Sequence, residues 1–513
     1  MLVQTFGAAI YGIAATTVTI EVRIDKGVNF MMVGLPDNAV KESQQRVKTS
    51  IEESNLKWPG KAITINMAPA DIRKEGTAYD LPLAVGMLAA SEQLPASALE
   101  KTMIMGELSL DGSLRYIKGA LPIALQAKDE GFTRFILPEV NGPEAAMVEG
   151  LEVYPAAHLS QVVAHLKGDV PLQRMVIDTE ALFKERIENF QFDFSDVKGQ
   201  ENIKRAFEIA AAGGHNAILI GPPGAGKTML AKRLPSILPP LNLSESLETT
   251  KIHSVAGRLR RDDALVTSRP FRAPHHTVSD VALVGGGGWP QPGEISLANN
   301  GVLFLDELPE FKRTVLEVLR QPLEDRVVTI SRARFSVDYP ASFMLVAAMN
   351  PCPCGFHNHP IKKCVCHGDA VQRYLNKVSG PLLDRIDLHV EVTPVDYEEL
   401  LTRPSSEVNS KDIRERVIKA RLVQQARFAD HAAVHSNAQM SSSDIRKYAD
   451  IDNDSREMLK NAMKRLNLSA RAYDRILKVA RTIADLACSA DIQQPHLAEA
   501  IQYRSLDRES WAE

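Results

Sequence analysis

The sequence predicts an α/β fold in which helices cover both faces of a parallel sheet. Four continuous apolar runs, each bounded by segments of helical character, occur at 217–220, 301–306, 342–350 and 387–392. Such runs are typical of strands that are buried on both faces of a parallel sheet. Beyond about residue 396, apolar residues recur at helical spacing, at 469–488 and 494–503. This second pattern predicts a small all-helical region after the sheet.

The first 168 residues have a different pattern and predict a separate mixed α/β domain. Strand-like runs at 18–24 and 62–67 alternate with helical stretches such as Asp80–Ser91. A polar stretch that follows has the character of a linker. At roughly 150 residues per domain, the 513 residues accommodate about three domains. We therefore expect four segments: an α/β domain at 1–168, a linker at 169–193, a sheet domain at 194–395 and a helical domain at 396–513.

The composition is that of a globular protein without a membrane-spanning segment. Hydrophobic residues make up 44% and charged residues 24% of the chain. No apolar stretch reaches the roughly 18 residues of a transmembrane helix, and the first residues carry no basic segment of a secretory signal. The cytoplasm is therefore the expected location. The net charge is −4, so nucleic acid would have to be bound by local basic patches.

A glycine-rich turn connects the first apolar run to a helix start. Its residues are Gly221, Pro222, Pro223, Gly224, Ala225, Gly226, Lys227 and Thr228. They fit the pattern G-x-x-x-x-G-K-[ST], in which backbone N–H groups surround the phosphates of a nucleotide. We expect this turn to bind ATP, with Lys227 reaching the β- and γ-phosphates and Thr228 acting as a ligand of Mg²⁺.

The next two apolar runs end in polar residues that would complete a hydrolytic site. Asp306 ends the second run and is expected to hold Mg²⁺ together with Thr228. Glu307, the next residue, would orient and deprotonate the attacking water, since a general base must lie near the γ-phosphate. Asn350 ends the third run, where its amide could hydrogen-bond the water or the γ-phosphate.

Two arginines are candidates for contacting the charge that develops during hydrolysis. Arg385 precedes the last strand of the sheet, a position that suits an arginine finger, and a structural ion pair with Asp384 is the alternative. A cation in this role is worth about 10³–10⁵ in rate. Arg471, at the start of a C-terminal helix, is the predicted phosphate-sensing arginine, with Arg475 as the second choice.

Together with the segments 269–277, 285–311 and 379–387, these motifs resemble the magnesium chelatase-like branch of the AAA+ ATPases, and within it the ComM/YifB subfamily. The resemblance covers nearly the whole chain. It implies an AAA+ parallel-sheet core with a C-terminal helical lid, ATP and Mg²⁺ as cofactors, and a homo-oligomer, a hexameric ring in which the finger acts on a neighbour's nucleotide. It further implies a cytoplasmic bacterial helicase that acts on single-stranded or branched DNA and drives branch migration during natural transformation.

The segments 106–125 and 131–141 are similar to the proteolytic domain of Lon, a ribosomal S5 domain 2-like α/β fold. That family uses a Ser nucleophile that a Lys activates. Here Ala78 occupies the position of the Ser and Pro122 that of the Lys, while Thr77 is a hydroxyl out of register. Because Ala offers no nucleophile and Pro no base, we expect a non-catalytic scaffold.

Two segments are candidate DNA contacts. The hairpin predicted at 326–337 carries Arg332 and Arg334 near its tip. An earlier segment precedes a glycine run with Trp289 beside it, and contains six cations: Lys251, Arg258, Arg260, Arg261, Arg269 and Arg272. Cations neutralise backbone phosphates, and a ring would multiply weak patches. A solvated basic surface is the alternative for each segment.

Four of the five cysteines lie close together: Cys352, Cys354, Cys364 and Cys366. Four thiolates can form a tetrahedral structural site for Zn²⁺, although C-x-C is tighter than the commoner spacing. Reduced free thiols and redox chemistry are the alternatives. Cys488 lies on an apolar helix face, and we expect it in the core.

An ATP-driven DNA motor is the function that these patterns favour. The motor subunit of a metal chelatase is the first alternative, because its ATPase core would look much the same. A protein-remodelling ATPase is the second, and Trp289 keeps that alternative open. The choice of DNA as the substrate depends on the subfamily resemblance, with the basic patches as support.

Overall fold

Two large β-sheets and a C-terminal group of helices organise the chain. The computed structural model describes residues 1–504, except 179–189, 191, 260–263, 288–289, 333–334, 358, 360, 394–408, 432–433 and 467. Each sheet has its own apolar core.

The first sheet has seven strands in the order β3-β4-β2-β1-β5-β8-β9. Its members are β1 (Leu2–Tyr11), β2 (Ala14–Asp25), β3 (Phe30–Val33), β4 (Ala62–Ala68), β5 (Thr102–Ile104), β8 (Arg134–Pro138) and β9 (Glu152–Ala156). A separate short pair is formed by β6 (Glu107–Leu108) and β7 (Leu114–Arg115). Along β2, Val18, Ile20 and Val22 are buried in alternation with more exposed neighbours, because successive side chains point to opposite faces of a strand.

The helices of this first part pack on the sheet: α1 (Asn38–Glu53), α2 (Asp80–Ala90), α3 (Ala120–Asp129), α4 (Gly142–Ala145) and α5 (Leu159–Lys167). Every residue of α2 is buried, which explains why its sequence is apolar on all sides. The carboxylate of Asp37 caps α1 by accepting a hydrogen bond of 2.8 Å from the N–H of Val40.

The second sheet has five parallel strands in the order β11-β14-β17-β10-β18. They are β10 (Ala217–Ile220), β11 (Phe271–Arg272), β14 (Val302–Leu305), β17 (Met344–Met349) and β18 (Leu388–Glu391). Along β10, Ala217 and Leu219 join one apolar core and Ile218 and Ile220 join another. The sheet is therefore buried on both faces, as the four apolar runs predict.

Helices and two small hairpins surround this sheet. The helices are α6 (Glu201–Gly213), α7 (Lys227–Ala231), α8 (Leu243–Val255), α9 (Asp280–Val284), α10 (Glu294–Leu297), α11 (Arg313–Glu317), α12 (Arg320–Asp325), α13 (Ala370–Leu375) and α14 (Gly380–Leu383). The hairpins are β12 (Gly285–Gly286) with β13 (Gln291–Pro292), and β15 (Val327–Arg332) with β16 (Phe335–Pro340). The second of these confirms the hairpin predicted at 326–337.

The last part of the chain is helical, as its periodicity predicts. It contains α15 (Ser410–Arg427), α16 (Ser442–Tyr448), α17 (Asn453–Arg465), α18 (Ala470–Leu486) and α19 (Gln494–Gln502). The apolar side of α18 packs against α6, α15 and α19. The C-terminal helical group therefore contacts α6, one of the helices that surround the second sheet. None of the helices in the described ranges combines the length and the apolar character that a bilayer crossing needs.

The first sheet's part of the molecule docks on the second in two places. Near α3, the N–H of Gly119 donates to the carbonyl of Ser254 at 3.3 Å, and the hydroxyl of Ser254 donates to the buried carboxylate of Glu144. In the second place, the hydroxyl of Tyr11 donates to the carbonyl of Ser336 in the β15–β16 hairpin at 3.0 Å. The β15–β16 hairpin is therefore in contact with the end of β1.

Candidate active site

The glycine-rich turn leaves the buried strand β10 and ends where α7 begins. Gly224 and Gly226 have φ angles of +81° and +83°, which residues with a Cβ adopt only at a cost. These two glycines let the backbone curl back on itself between strand and helix. The turn thus has the shape of a phosphate loop, and we call residues 221–228 by that name.

Lys227 is buried, with 8% of its surface exposed. Its ammonium donates to the carbonyls of Gly221 and Pro222, at 2.7 and 3.0 Å, and to Oδ1 of Asn350 at 3.1 Å. Burial lowers the pKa of this ammonium, and the nearby carboxylates of Asp306 and Glu307 oppose that shift. A buried cation held by neutral oxygens gains strongly from an anionic ligand such as a phosphate.

Asp306 directly follows β14, at the carboxyl end of the parallel sheet. The hydroxyl of Thr228 donates to its Oδ2 at 2.5 Å, so two oxygens from distant parts of the chain meet beside the phosphate loop. Mg²⁺ prefers oxygen ligands and keeps several waters when it binds beside phosphates. The donor set therefore suits Mg²⁺.

Glu307 has a left-handed backbone, with a φ of +53°, and 58% of its side chain is exposed. Its N–H donates to Oδ1 of Asp306 at 3.0 Å, while its Oε2 lies 3.4 Å from Nδ1 of His276. This geometry keeps the carboxylate accessible to water beside the metal-binding oxygens. The sequence assigns no role to His276, although its place four residues after β11, at the same edge of the sheet, is a signal for one.

A cavity of about 390 Å³ joins these groups. Its lining residues are Pro223, Gly224, Ala225, Gly226, Lys227, Thr228, Met229, Asp306, Glu307, Met349 and Asn350. The cavity thus brings together the ammonium of Lys227, which can bind phosphates, the oxygens of Thr228 and Asp306, which can bind a metal, and the exposed carboxylate of Glu307, which can accept a proton from water. This combination can carry out phosphoryl transfer to water.

Asn350 follows β17 and is held from two sides. Its Oδ1 accepts from Lys227, and its backbone N–H donates to the hydroxyl of Tyr374 in α13, a phenol whose pKa burial raises to about 12. The amide therefore connects the phosphate loop to α13. Tyr374 carries no motif, and the sequence reasoning missed it.

Arg385 lies outside the cavity lining and is itself buried, with 9% of its surface exposed. Its guanidinium donates to the carbonyl of Pro381 at 2.5 Å and forms an ion pair with Glu324 of α12. The structural pair with Asp384, which was the alternative interpretation, is not formed, because Asp384 pairs with Arg471 instead. To act on a neighbouring subunit, Arg385 has to leave Glu324.

Arg471 and Arg475, both on α18, bind the corner that carries Arg385. Arg471 is 68% exposed in its side chain and lies 3.0 Å from Asp384. Arg475 lies 2.9 Å from the buried Asp387. Although burial disfavours the charge of Asp387, Arg475 and His215 hold its pKa well below its usual range. In this arrangement the helical group holds the corner that carries Arg385, and neither Arg471 nor Arg475 lines the cavity at the phosphate loop.

The four clustered cysteines meet in space, as predicted, with all four sulfurs within 4.8 Å of one another. Burial raises the pKa of Cys352 to about 12. The prediction for Cys488 is wrong: this residue is exposed. The helix α18 ends at Leu486, and Cys488 adopts a φ of +55° in the turn beyond it, so the apolar periodicity of the helix no longer directs its side chain.

The two candidate DNA elements lie side by side. The hydroxyl of Tyr339 in β16 donates to the carbonyl of Pro290, next to β13, at 2.8 Å. The tips themselves, with Gly288, Trp289 and Arg334, lie outside the described residues. The side chain of Arg332 is also not described. The structure therefore joins the bases of the two hairpins into one unit.

Part of the predicted basic patch is used internally. Arg269 pairs with Glu245 at 3.1 Å and donates to the carbonyl of Asn300 at 2.7 Å, and Arg272 pairs with Glu294 at 2.6 Å. Arg260 and Arg261 lie outside the described residues, while Arg258 is exposed. Arg269 and Arg272 are thus held by carboxylates of their own chain, which leaves less of the predicted patch to bind phosphate.

A second cleft, of about 440 Å³, lies between the first sheet's part and the ATPase part. Thr77 lies in it and donates to the carboxylate of Glu107, while Ala78 beside it carries no functional group. The ammonium of the buried Lys74 donates to the carbonyl of Pro69 rather than to Thr77. No lysine within the described residues hydrogen-bonds the Thr77 hydroxyl, so the cleft lacks an activated nucleophile.

Comparison with known proteins agrees with this arrangement of parts. Family models for "Magnesium chelatase, subunit ChlI", "Subunit ChlI of Mg-chelatase" and "Magnesium chelatase, subunit ChlI C-terminal" match residues 193–400, 20–141 and 407–504. Over 513 residues, which cover 99% of this chain and 98% of the relative, the sequence is 44% identical to the competence protein ComM of Haemophilus influenzae. It is 45% identical to the protein YifB of Salmonella typhimurium over 98% of this chain and 96% of that protein. A shorter likeness, 28% identity over 31% of this chain and 33% of the relative, is to Lon protease 2 of Bacillus subtilis.

Proposed function

The chain belongs to the ComM/YifB subfamily of magnesium chelatase-like AAA+ ATPases, and we propose that it is an ATP-driven motor that moves along branched or single-stranded DNA. The observation that carries the ATPase part of the proposal is the convergence of Lys227, Thr228, Asp306, Glu307 and Asn350 on one cavity, and DNA as the substrate is inferred from the subfamily membership. The full-length similarity to a competence protein supports homologous recombination during natural transformation, in the cytoplasm, as the process served.

Hydrolysis follows from the placement of these groups. Lys227 exchanges its bonds to loop carbonyls for the β- and γ-phosphates of ATP. Thr228 and Asp306 would hold Mg²⁺, which neutralises phosphate charge. Glu307 accepts the proton of the attacking water, and Asn350, held by Lys227, orients that water at the γ-phosphate. ADP and inorganic phosphate are the products.

The proposed assembly is a hexameric ring. Arg385 is absent from the lining of its own chain's cavity, which suits a finger that completes the site of an adjacent subunit. Its ion pair with Glu324 would be exchanged for the γ-phosphate of the neighbour. An isolated subunit lacks that cation and should hydrolyse ATP slowly.

The proposed DNA-contacting unit is formed by the two hairpins joined through Tyr339 and Pro290. In a ring, six copies of such a unit would surround a central channel, and weak individual contacts would add up.

The first part of the chain, residues 1–168, is proposed to be a Lon-like, non-catalytic scaffold, followed by a linker at 169–193, the ATPase domain at 194–395 and the helical lid at 396–513. The hydrogen bond from Tyr11 to Ser336 would let residues 1–168 move with the β15–β16 hairpin during each cycle of ATP hydrolysis.

A second candidate is the motor subunit of a metal chelatase. The three ChlI family models that match the chain favour it. The relatives that match almost the full length, however, include a protein whose name refers to competence. We therefore place the DNA motor first.

ATPase measurements with and without single-stranded, duplex and branched DNA test the proposal, alongside particle size in the presence of nucleotide. We expect DNA to stimulate turnover by ring-sized particles. Replacing Arg332 and Arg334 by Ala should preserve basal turnover and remove the stimulation, while the control Lys464→Ala with Arg465→Ala, two exposed cations at the end of α17, should behave like the unaltered protein. Turnover that no form of DNA changes would contradict the DNA proposal.

A further inference from the structure

The four clustered sulfurs have the spacing of a metal-binding tetrahedron. The Sγ atom of Cys352 lies 3.3 Å from that of Cys354 and 3.7 Å from that of Cys364, and the last two are 3.5 Å apart. Four sulfurs at about 2.3 Å from Zn²⁺ lie about 3.8 Å from one another. A disulfide would need about 2.05 Å, so the geometry favours a shared cation over paired oxidation.

The loop that carries these cysteines, residues 351–368, also supplies groups that stabilise negative sulfur. Backbone N–H groups of Phe356 and His357 donate to the sulfur of Cys352, and those of Val365 and Phe356 to that of Cys354. The ammonium of Lys362 lies 4.9 Å from the centre of the Phe356 ring, which keeps a cation within the same loop. Such second contacts orient metal ligands and offset the charge of a four-thiolate site.

This cysteine loop packs directly on the ATP site. Cys352 is fully buried two residues after Asn350, and Pro353 lines a cavity together with Glu307 and Asn350. Gly355 has a φ of +83° and lies so close to the phosphate loop that a Cβ there would come within 2.5 Å of Cδ of Pro223. The cysteine loop therefore lies against the phosphate loop and beside Asn350, the two segments whose oxygens accept hydrogen bonds from Lys227.

We propose that Cys352, Cys354, Cys364 and Cys366 bind one Zn²⁺, and that the zinc-held loop clamps the phosphate loop in its nucleotide-binding conformation. Each thiol that binds the ion releases its proton to water, and no oxidant or reductant is required. Without the ion, four thiols on a loop with little regular structure would not keep Gly355 against Pro223. The inference concerns nucleotide binding and holds whether or not DNA is the substrate.

Metal analysis of the purified full-length protein tests the first half of the proposal. We expect one zinc per chain in the unaltered protein and in the control Cys488→Ser, which changes an exposed cysteine outside the cluster. The variant Cys364→Ser with Cys366→Ser should contain none, and its affinity for a fluorescent ATP analogue should fall by about tenfold or more, which corresponds to about 1.4 kcal/mol. Protein without metal, or with iron in place of zinc, overturns the assignment.

A pair of glycine variants tests the clamp without removing a ligand. Gly355→Ala would push against Pro223, so we expect full zinc content and about tenfold weaker nucleotide binding, since the added Cβ overpacks this contact. The matched control is Gly368→Ala, at a φ of +52° in the same loop but with open space around the added Cβ. Equal nucleotide affinity of the two variants overturns the clamp, even when zinc is present. Weak binding by Gly355→Ala alone supports it.

Discussion

Two clefts among the described residues, of about 390 and 440 Å³, differ in the groups that they bring together. Each contains a threonine whose hydroxyl donates to a carboxylate: Thr228 to Asp306 at the phosphate loop, and Thr77 to Glu107 in the cleft of the first part. In the phosphate-loop cleft, the ammonium of Lys227 also lies in the lining. In the other, Lys118 lies in the lining, but within the described residues no hydrogen bond joins a lysine to the Thr77 hydroxyl, and the buried Lys74 donates to a backbone carbonyl.

The difference indicates that a hydroxyl hydrogen-bonded to a carboxylate is not sufficient for catalysis. Phosphoryl transfer needs a cation and a metal to balance phosphate charge, and Lys227, Thr228 and Asp306 can provide both. Acyl transfer needs a nucleophile with a base within hydrogen-bonding reach, and Ala78 and Lys74 provide neither. A cleft of comparable volume can thus lack the groups that a reaction needs.

The largest expected effect tests whether the ATP cleft is complete within one chain. Arg385→Ala should bind ATP and assemble normally but lose about 10³–10⁵ in hydrolysis rate, because the neighbour's site would lack its cation. ATPase assays across protein concentration, with particle sizing, check this. The control Glu324→Gln frees Arg385 from its ion pair and should retain activity. Near-normal turnover by Arg385→Ala would remove the trans assignment.

The next prediction makes the same chemical change in both clefts. Glu307→Gln should lower kcat by about 10²–10⁴ without weakening ATP binding, because it removes the general base. Glu107→Gln, in the second cleft, should leave ATP turnover unchanged. Steady-state kinetics and nucleotide binding of the two variants decide the matter, and an equal loss in both would mean that the clefts are coupled.

A smaller effect is expected from His276, which the sequence did not mark as functional. Its imidazole lies 3.4 Å from the carboxylate of Glu307, so His276→Ala should lower kcat about fivefold, the equivalent of about 1 kcal/mol for one lost polar contact. Because the ring of His275 lies 4.0 Å from that of His276, the control is His435→Ala, which removes an exposed imidazole in the C-terminal helical group instead. Equal kinetics for both variants would show that His276 does not position the base.

The smallest effect concerns the cleft without chemistry. Thr77→Val should leave ATP turnover unchanged and lower the free energy of unfolding of the first part by about 1 kcal/mol, since it deletes one hydrogen bond to Glu107. Thermal unfolding and an assay with casein peptides check both statements. Peptide cleavage by the unaltered protein, lost in Thr77→Val, would show that this cleft is active after all.

Residues that follow directly from local pattern were predicted well. The apolar runs became the strands β10, β14, β17 and β18, and Asp306 and Asn350 therefore had to reach the same sheet edge as the phosphate loop. The four cysteines, within fifteen positions, were close enough in sequence to meet. In each case short spacing or parallel strand order decides the result.

Contacts between distant segments could not be predicted. The pairing of Arg385 with Glu324 joins residues 61 positions apart, and Asp384, its partner in the alternative interpretation, pairs with Arg471. Cys488 left the core because its helix ended two residues earlier than the apolar pattern suggested. The partner of a charged side chain depends on which other charged groups the packing brings within reach, and the spacing of apolar residues along the sequence does not predict it.

The sequence by itself determined the parallel sheet, the phosphate loop and the polar residues at the ends of its strands, because side-chain periodicity and glycine placement act over a few residues. Only the tertiary structure decided that His276 faces Glu307, that Gly355 packs on Pro223, and that Thr77 donates to Glu107 while Lys74 donates to a backbone carbonyl. These contacts arise from the packing of separate elements, and packing depends on the shapes and charges of all the groups that meet there.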